Sequence, residues 1–263
     1  MSPEQTDLAN LAGRSALVTG AGDVGSALAL ALAQHGAGLV AIVDLDEARV
    51  TDLARQIEAA GASALPLVAD LTDAAAVAQL PVAVSEAGAS IDILVNNAGM
   101  PPGYFSKGRG LSPFVDSDPG DWAALLDLNL DAVLRVTHGF LRPMIESGWG
   151  RVITIVSDSA RVGDRNMAVY AAAKGGSSAF MRSLASEVGP SGITANCVSL
   201  GTIWRSSEPP DERAMKAAKR FYPLRRYGTV EDVASMVTFL ASDAANWITG
   251  QVYGVNGGYS YGL

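Results

Sequence analysis

The sequence predicts an α/β fold, a single doubly wound domain with a seven-stranded parallel sheet flanked by helices. Three observations carry this. Short apolar runs alternate with helical patterns almost from end to end, the runs are continuously apolar, and no repeat, low-complexity tract or linker interrupts them. A strand covered by helices on both faces is apolar at every position, whereas a half-exposed strand alternates. The first strand is expected at Ser15–Thr19 (SALVT), followed by a helix over Val24–Gln34 and a second strand at Leu39–Val43 (LVAIV). Glu47–Ala60 then reads as a helix, Ala64–Val68 as a strand, Ala74–Ala87 as a helix and Ile91–Val95 as the fourth strand. A long helix is expected over Trp122–Ser147, the fifth strand at Arg151–Val156 and another long helix over Val169–Val188. Ile193–Val198, Val230–Ala241 and Gln251–Val255 supply the sixth strand, a helix and the seventh strand. Residues 1–13 form an N-terminal extension to a domain spanning 14–263.

Two stretches break this rhythm, 100–120, rich in Gly, Pro and Ser, and 204–227. Each follows a strand, on the side where open α/β sheets bind ligands, so both are expected to form substrate loops.

Composition excludes several functions. With 49% apolar and 17% charged residues over 263 positions, the chain can bury a substantial core. One cysteine, Cys197, excludes an intramolecular disulfide, and two histidines, His35 and His138, leave little for a metal centre, so none is expected. A net charge of −8 with no basic stripe argues against nucleic acid, whose phosphates demand cations. The first residues lack the basic and apolar regions of a signal peptide, and no apolar run approaches the ~20 residues that span a bilayer. A soluble cytoplasmic protein is expected.

Gly20, Gly22 and Gly25 follow the first strand at G-x-G-x-x-G spacing and open a helix. Such a turn lets backbone approach a pyrophosphate at a helix N-terminus, though a plain glycine-rich turn has the same pattern. A carboxylate at Asp23 would repel a pyrophosphate, and a solvent-side helix cap is its expected role. Asp44 closes the second strand and can accept hydrogen bonds from the adenosine ribose, repelling a 2′-phosphate. No arginine stands at Ala21, Gly22 or Leu45 to greet that phosphate, which favours NAD over NADP. Simple capping of the next helix by Asp44 or Asp46 is the alternative; for Asp70, after the third strand, it is adenine contact or capping.

Tyr170 and Lys174 stand four apart on one helix face. An ammonium near a phenol favours phenolate, and a phenol so tuned can exchange a proton with an alcohol or ketone. Ser157 ends the fifth strand and can bond the same substrate oxygen. Asn129 is a polar residue in an otherwise core-facing run, and a buried amide there needs partners.

These residues, with Asp70-Leu71, Asn96-Asn97-Ala98-Gly99, Gly201 and Val255-Asn256-Gly257-Gly258, resemble the classical short-chain dehydrogenase/reductase family over nearly the whole chain. The resemblance implies a Rossmann-type sheet and a catalytic set of Asn129, Ser157, Tyr170 and Lys174. Ser157 would polarise the substrate oxygen and Tyr170 would act as acid and base. Lys174 would hold the nicotinamide ribose and lower the tyrosine pKa, and Asn129 would anchor a relay water. The cofactor would lie along Gly20, Gly22, Asp23, Val24, Gly25, Asp44, Leu45, Asp70, Leu71, Asn97, Ala98, Gly99, Tyr170, Lys174, Gly201 and Ile203. Pro101, Tyr104, Ser159 and Trp204 would line the substrate pocket. The run Ser157–Gly163 and Ala168-Val169-Tyr170 further resemble hydroxyacyl-CoA dehydrogenases acting on alicyclic acids.

Four departures from the family pattern stand out. The glycine turn is one residue short, Leu200 replaces the usual proline, Arg205 stands where a threonine is expected, and Asn256 replaces an aspartate. Residues 205–226 hold seven basic groups against three acids, a local +4, which either attracts an anionic substrate such as a carboxylate or CoA thioester or forms a solvated helix face. The apolar, aromatic tail, with the two long helices, implies a homo-oligomer, in this family commonly a tetramer. The expected activity is NAD(H)-dependent interconversion of a secondary alcohol and a ketone. An NADPH-dependent 3-oxoacyl thioester reductase and a catalytically silent dinucleotide-binding sensor or scaffold are the alternatives.

Overall fold

A computed structural model describes residues 9–99, 113–205 and 209–261. Seven strands form one parallel sheet: β1 (Ser15–Thr19), β2 (Leu39–Asp44), β3 (Ser63–Val68), β4 (Ile93–Asn96), β5 (Gly150–Ser157), β6 (Ile193–Leu200) and β7 (Val252–Val255), in spatial order β3-β2-β1-β4-β5-β6-β7. The order reverses between β1 and β4, which opens the crevice beyond their carboxyl ends where ligands of such sheets lie. Alternate residues of each strand feed two cores. Ala16, Val18, Ile42, Val95 and Val198 pack under α1 (Asp23–Gln34), α2 (Glu47–Ala59) and a carboxyl-terminal helix, Val230–Ala241. Leu17, Val43, Leu94, Val152 and Cys197 pack on the other face under α3 (Ala74–Glu86) and the helices Ala132–Ser147 and Ala168–Val188. Cys197 is thus a core residue, as expected.

The element boundaries differ from the sequence reading where polar side chains intervene. β4 starts two residues late, because the Asp92 carboxylate turns back to accept the Ser15 N–H at 2.9 Å. β3 carries Pro66 and a half-exposed pattern, which an edge strand tolerates because its free side needs no N–H donor. The expected helix over 122–147 is three pieces: α4 (Pro119–Leu126), a π-helical turn (Asp127–Asp131) and α5 (Ala132–Ser147). A further helix, Glu212–Phe221, lies inside the stretch read as irregular. Numbered in order, α6 is Ser159–Val162, α7 Ala168–Val188, α8 Glu212–Phe221 and α9 Val230–Ala241. The described residues just before β1 pack on the domain: Leu11 is buried and its N–H donates to the His35 carbonyl at 2.8 Å. Among the described residues no helix is long and apolar enough to cross a membrane.

Candidate active site

The crevice is built from the glycine turn upward. Gly20 adopts φ +83°, and a Cβ on Gly25 would sit 1.7 Å from the Gly20 carbonyl oxygen, so the turn and helix α1 meet at a distance only glycine permits. Gly22 is the residue before the helix, with no side-chain cap. Asp23 does not cap from the solvent side as expected. It is the first helical residue and exposed, so its carboxylate meets the helix only through the dipole. Val24 follows it and is partly buried. The Asp44 carboxylate accepts the Ala21 N–H at 2.6 Å and the Asp46 N–H at 3.0 Å, which ties the end of β2 to the turn, while Asp46 caps α2. Leu45 and Val68 stand 56% and 55% exposed at the ends of β2 and β3. Asp70 bonds Thr72 and Asp73 caps α3, so capping is not the role of Asp70; Leu71 is buried.

On the other side of the crevice, Asn97 donates to the Thr19 carbonyl at 2.9 Å, and the Asn97 and Ala98 amides donate to Thr19 Oγ1. β1 and the end of β4 are thereby locked at the point where the sheet order reverses. Gly99 comes next. A Cβ there would sit 2.8 Å from Asn129 Oδ1 and 2.9 Å from Lys174 Nζ, so a side chain would enter the space on which these two groups converge.

The π turn aims Asn129 into the protein, fully buried, with Nδ2 donating to the Leu125 carbonyl at 3.0 Å. π turns are rare and recur at functional sites because they rotate one residue out of helical register. Asn129 Oδ1 has no hydrogen-bond partner. Lys174, on α7, is buried and donates to the Ile155 carbonyl of β5 at 2.8 Å; burial drops its ammonium to about 8. Nζ lies 5.9 Å from the centre of the Tyr170 ring. Desolvation pushes the Tyr170 phenol above its ordinary value, while a hydrogen bond with Ser157 and the Arg205 guanidinium pull it back down. The downward pull on the phenol comes from Ser157 and Arg205 and not, as expected, from Lys174. Arg205, met in the sequence as a departure from the family pattern, is a positive neighbour of the phenol.

Beyond Ser157 lies a cavity of about 340 Å³, lined in part by Ser159, Asp164, Thr202, Tyr222, Tyr227 and Tyr259. Trp204 stacks on Tyr227 with ring centres 5.7 Å apart. Pro101 and Tyr104 lie outside the described residues. Gly201 follows β6, where a Cβ would come within 3.0 Å of Asn256 Cα, and Ile203 is buried, bridging to Gly228. Asn256 donates to the buried Asp158 carboxylate at 2.7 Å; an aspartate at 256 would oppose it, which accounts for that departure. Within the described part of the tail, Ser260 donates to Asp158 and Tyr259 to Asp164. Arg213, Lys216, Lys219 and Arg220 are exposed on α8 and Arg226 pairs with Asp232 at 2.6 Å, while α8 turns Ala217 and Phe221 to the cavity.

A family model described as enoyl-(acyl carrier protein) reductase matches residues 20–260. The chain belongs to the short-chain dehydrogenase/reductase family. It is an oxidoreductase of that family, whose members bind a nicotinamide dinucleotide. It is 35% identical over 250 residues to a 3-oxoacyl-[acyl-carrier-protein] reductase of Synechocystis, covering 94% of this chain and 97% of that one. A cis-4-hydroxycyclohexanecarboxylate dehydrogenase of Sinomonas cyclohexanicum is 36% identical over 251 residues, with 94% and 96% covered. A solved structure from Beutenbergia cavernae, provisionally described as an NAD(P)-dependent gluconate 5-dehydrogenase and holding NADP at low occupancy, superposes with a TM-score of 0.84. It is 35% identical, with 95% of this chain and 98% of that chain covered.

The crevice fits the dinucleotide. Gly20 and Gly25 let the turn close tightly on α1 and on Asn97-Ala98, and Gly99 leaves open the space that Lys174 Nζ and the orphaned Asn129 Oδ1 border.

Proposed function

We propose that this chain is an NAD(H)-dependent dehydrogenase that interconverts a secondary alcohol and a ketone, with Tyr170 as acid and base. The observation that carries the reading is the convergence of four groups from three elements. Ser157 is close enough to Tyr170 to draw its phenol down, and Lys174 Nζ and Asn129 Oδ1 both come within 3 Å of the point where a Cβ on Gly99 would sit. The nicotinamide supplies the acceptor or donor of the hydride. In the oxidative direction, Ser157 turns its hydroxyl from Ser159 to donate to the substrate oxygen while Tyr170 takes the hydroxyl proton, as the carbon gives up its hydride. In the reductive direction, Tyr170 returns that proton to the nascent alkoxide. A water between Lys174 Nζ and Asn129 Oδ1 would accept from the first and donate to the second, giving the proton a way out and meeting the amide oxygen's unmet demand.

Gly20, Gly25 and the N-terminus of α1 would hold the pyrophosphate, Leu45 and Val68 would flank the adenine, and Lys174 would hold the nicotinamide ribose. Asp44 supports NAD: its carboxylate is fixed at the foot of the glycine turn and would repel a 2′-phosphate. The NADP in the Beutenbergia structure bears against that preference, which makes it the part to measure.

Fluorescence titrations with NADH and NADPH test the reading, alongside turnover of secondary alcohols by wild type and Tyr170→Phe. The expected result is NADH tighter by at least about tenfold, equivalent to one charge repulsion of ~1.4 kcal/mol. Tyr170→Phe should lose about 10²–10⁴ in turnover and keep its NADH affinity. Tighter NADPH binding would reverse the cofactor assignment, and retained turnover in Tyr170→Phe would remove its role.

A further inference from the structure

We infer that Asp164 makes the substrate a polyhydroxylated one: its carboxylate reads a second hydroxyl, close to the carbon that reacts. This rests on the dehydrogenase reading above and adds the substrate class.

Asp164 follows the short helix α6 and lines the cavity beyond Ser157. Its Oδ2 accepts from Ser159 Oγ at 2.8 Å and its Oδ1 from Tyr259 Oη at 2.7 Å. A carboxylate offers about four acceptor sites, so two are filled by the protein and two stay open to a ligand. None of the described lining residues is basic, so no cation in the cavity wall pairs with this charge. The same chain of bonds runs back to the reacting centre, because Ser157 Oγ donates to Ser159 Oγ at 3.1 Å. Asp164 therefore stands two hydrogen bonds from the serine that meets the substrate oxygen, and the hydroxyl it reads belongs to a nearby carbon.

The rest of the wall suits the same ligand. Tyr222 donates to Thr202 Oγ1 at 2.8 Å, and the Tyr222 and Tyr259 rings lie 5.4 Å apart, with Tyr227 edge-on to Tyr222. Aromatic faces beside an acceptor-rich carboxylate match a compact molecule with C–H faces and hydroxyl donors. A 3-oxoacyl thioester carries no hydroxyl beside the reacting carbon to donate to Asp164, and a carboxylate set against Asp164 would be repelled. The cations of α8 are exposed, and none of them is among the described residues that line the cavity.

The test compares cyclohexane-1,2-diol with cyclohexanol, using wild type, Asp164→Asn and Tyr259→Phe, and follows both NADH formation and diol protection against thermal unfolding. Wild type should favour the diol in kcat/KM by about tenfold or more, the worth of one charge-assisted hydrogen bond. Asp164→Asn should bring the two alcohols level, whereas Tyr259→Phe, which frees an acceptor on Asp164, should keep the preference. Equal use of both alcohols by wild type, or a preference that survives Asp164→Asn, overturns the inference and leaves the dehydrogenase reading intact. If neither alcohol is oxidised but the diol stabilises wild type and not Asp164→Asn, the inference stands and the dehydrogenase reading falls. No oxidation and no protection by the diol overturns both.

Discussion

At the amino end of β5, Arg151 is 1% exposed and every arm of its guanidinium is engaged. It donates to the Gly150 carbonyl at 2.9 Å, the Ser242 carbonyl at 3.4 Å, Asp243 at 3.4 Å and Asn246, and stacks 4.1 Å over Trp149. Arg14 covers the same ring at 3.9 Å and pairs with Asp92. At the carboxyl end of the same strand the buried polar groups are left wanting. Lys174 has its Nζ on the Ile155 carbonyl and a depressed pKa, and Asn129 Oδ1 has no partner. Burial of a polar group is the same expense at both ends. The difference teaches which end holds the fold together: saturated groups stabilise, and under-satisfied ones wait for a ligand or a proton.

The largest effect expected from this contrast is on stability at the amino end. Arg151→Ala removes the stacking partner of Trp149 and leaves a cavity, which should cost about 3 kcal/mol of unfolding free energy. The midpoint of urea unfolding reads it, and turnover per folded molecule should not change. A loss below about 1 kcal/mol, the level of an ordinary surface pair, would break the comparison.

The two ends also differ in how much of them the sequence discloses. The glycine turn, Asp44, Ser157, Tyr170 and Lys174 were legible because each is local: a spacing, a strand end, a helix face. Asn129 was legible as a polar residue among leucines, but the π turn that aims it was not, since no residue pattern separates five π residues from the helices around them. Asp164 gave no sign, because its partner Tyr259 is 95 residues away. Arg205 was visible only as an exception, and its effect on Tyr170 needed the fold. α8 could have been found: Asp211 caps it by accepting the Ala214 N–H, and Met215, Ala218 and Tyr222 repeat at helical spacing. Its four cations masked that period. The Arg14–Trp149–Arg151 stack joins residues at the starts of two strands, β1 and β5, and nothing in the local sequence announces it.

A second effect sharpens the contrast at the carboxyl end and carries a pH signature. With Lys174 at about 8 in the fold against 10.5 when exposed, the unfolded chain binds more protons than the native one between those values. Wild-type stability therefore rises with pH across that window, and below about 8 the cost of burying the ammonium is fully present. Lys174→Met should be more stable than wild type at pH 7, and the gain should fade as pH climbs towards 10.5. Urea midpoints at pH 7, 9 and 10.5 give the slope. A gain that does not change with pH would mean that Lys174 is not held short of its ordinary pKa.

The smallest stability change and the clearest division of labour belong to Asn129. Its Oδ1 is already unpaired, so Asn129→Leu exchanges one orphaned oxygen and one bond to the Leu125 carbonyl for apolar packing of similar size. Those terms oppose each other, and unfolding free energy should stay within about 1 kcal/mol of wild type. Turnover should still fall by at least about tenfold, because the proton on Tyr170 loses its relay. Activity and urea unfolding measured on the same preparation decide it. If Asn129→Leu is as damaging to stability as Arg151→Ala, then Asn129 serves the fold, and the carboxyl end of the sheet is not the place where stability was given up for chemistry.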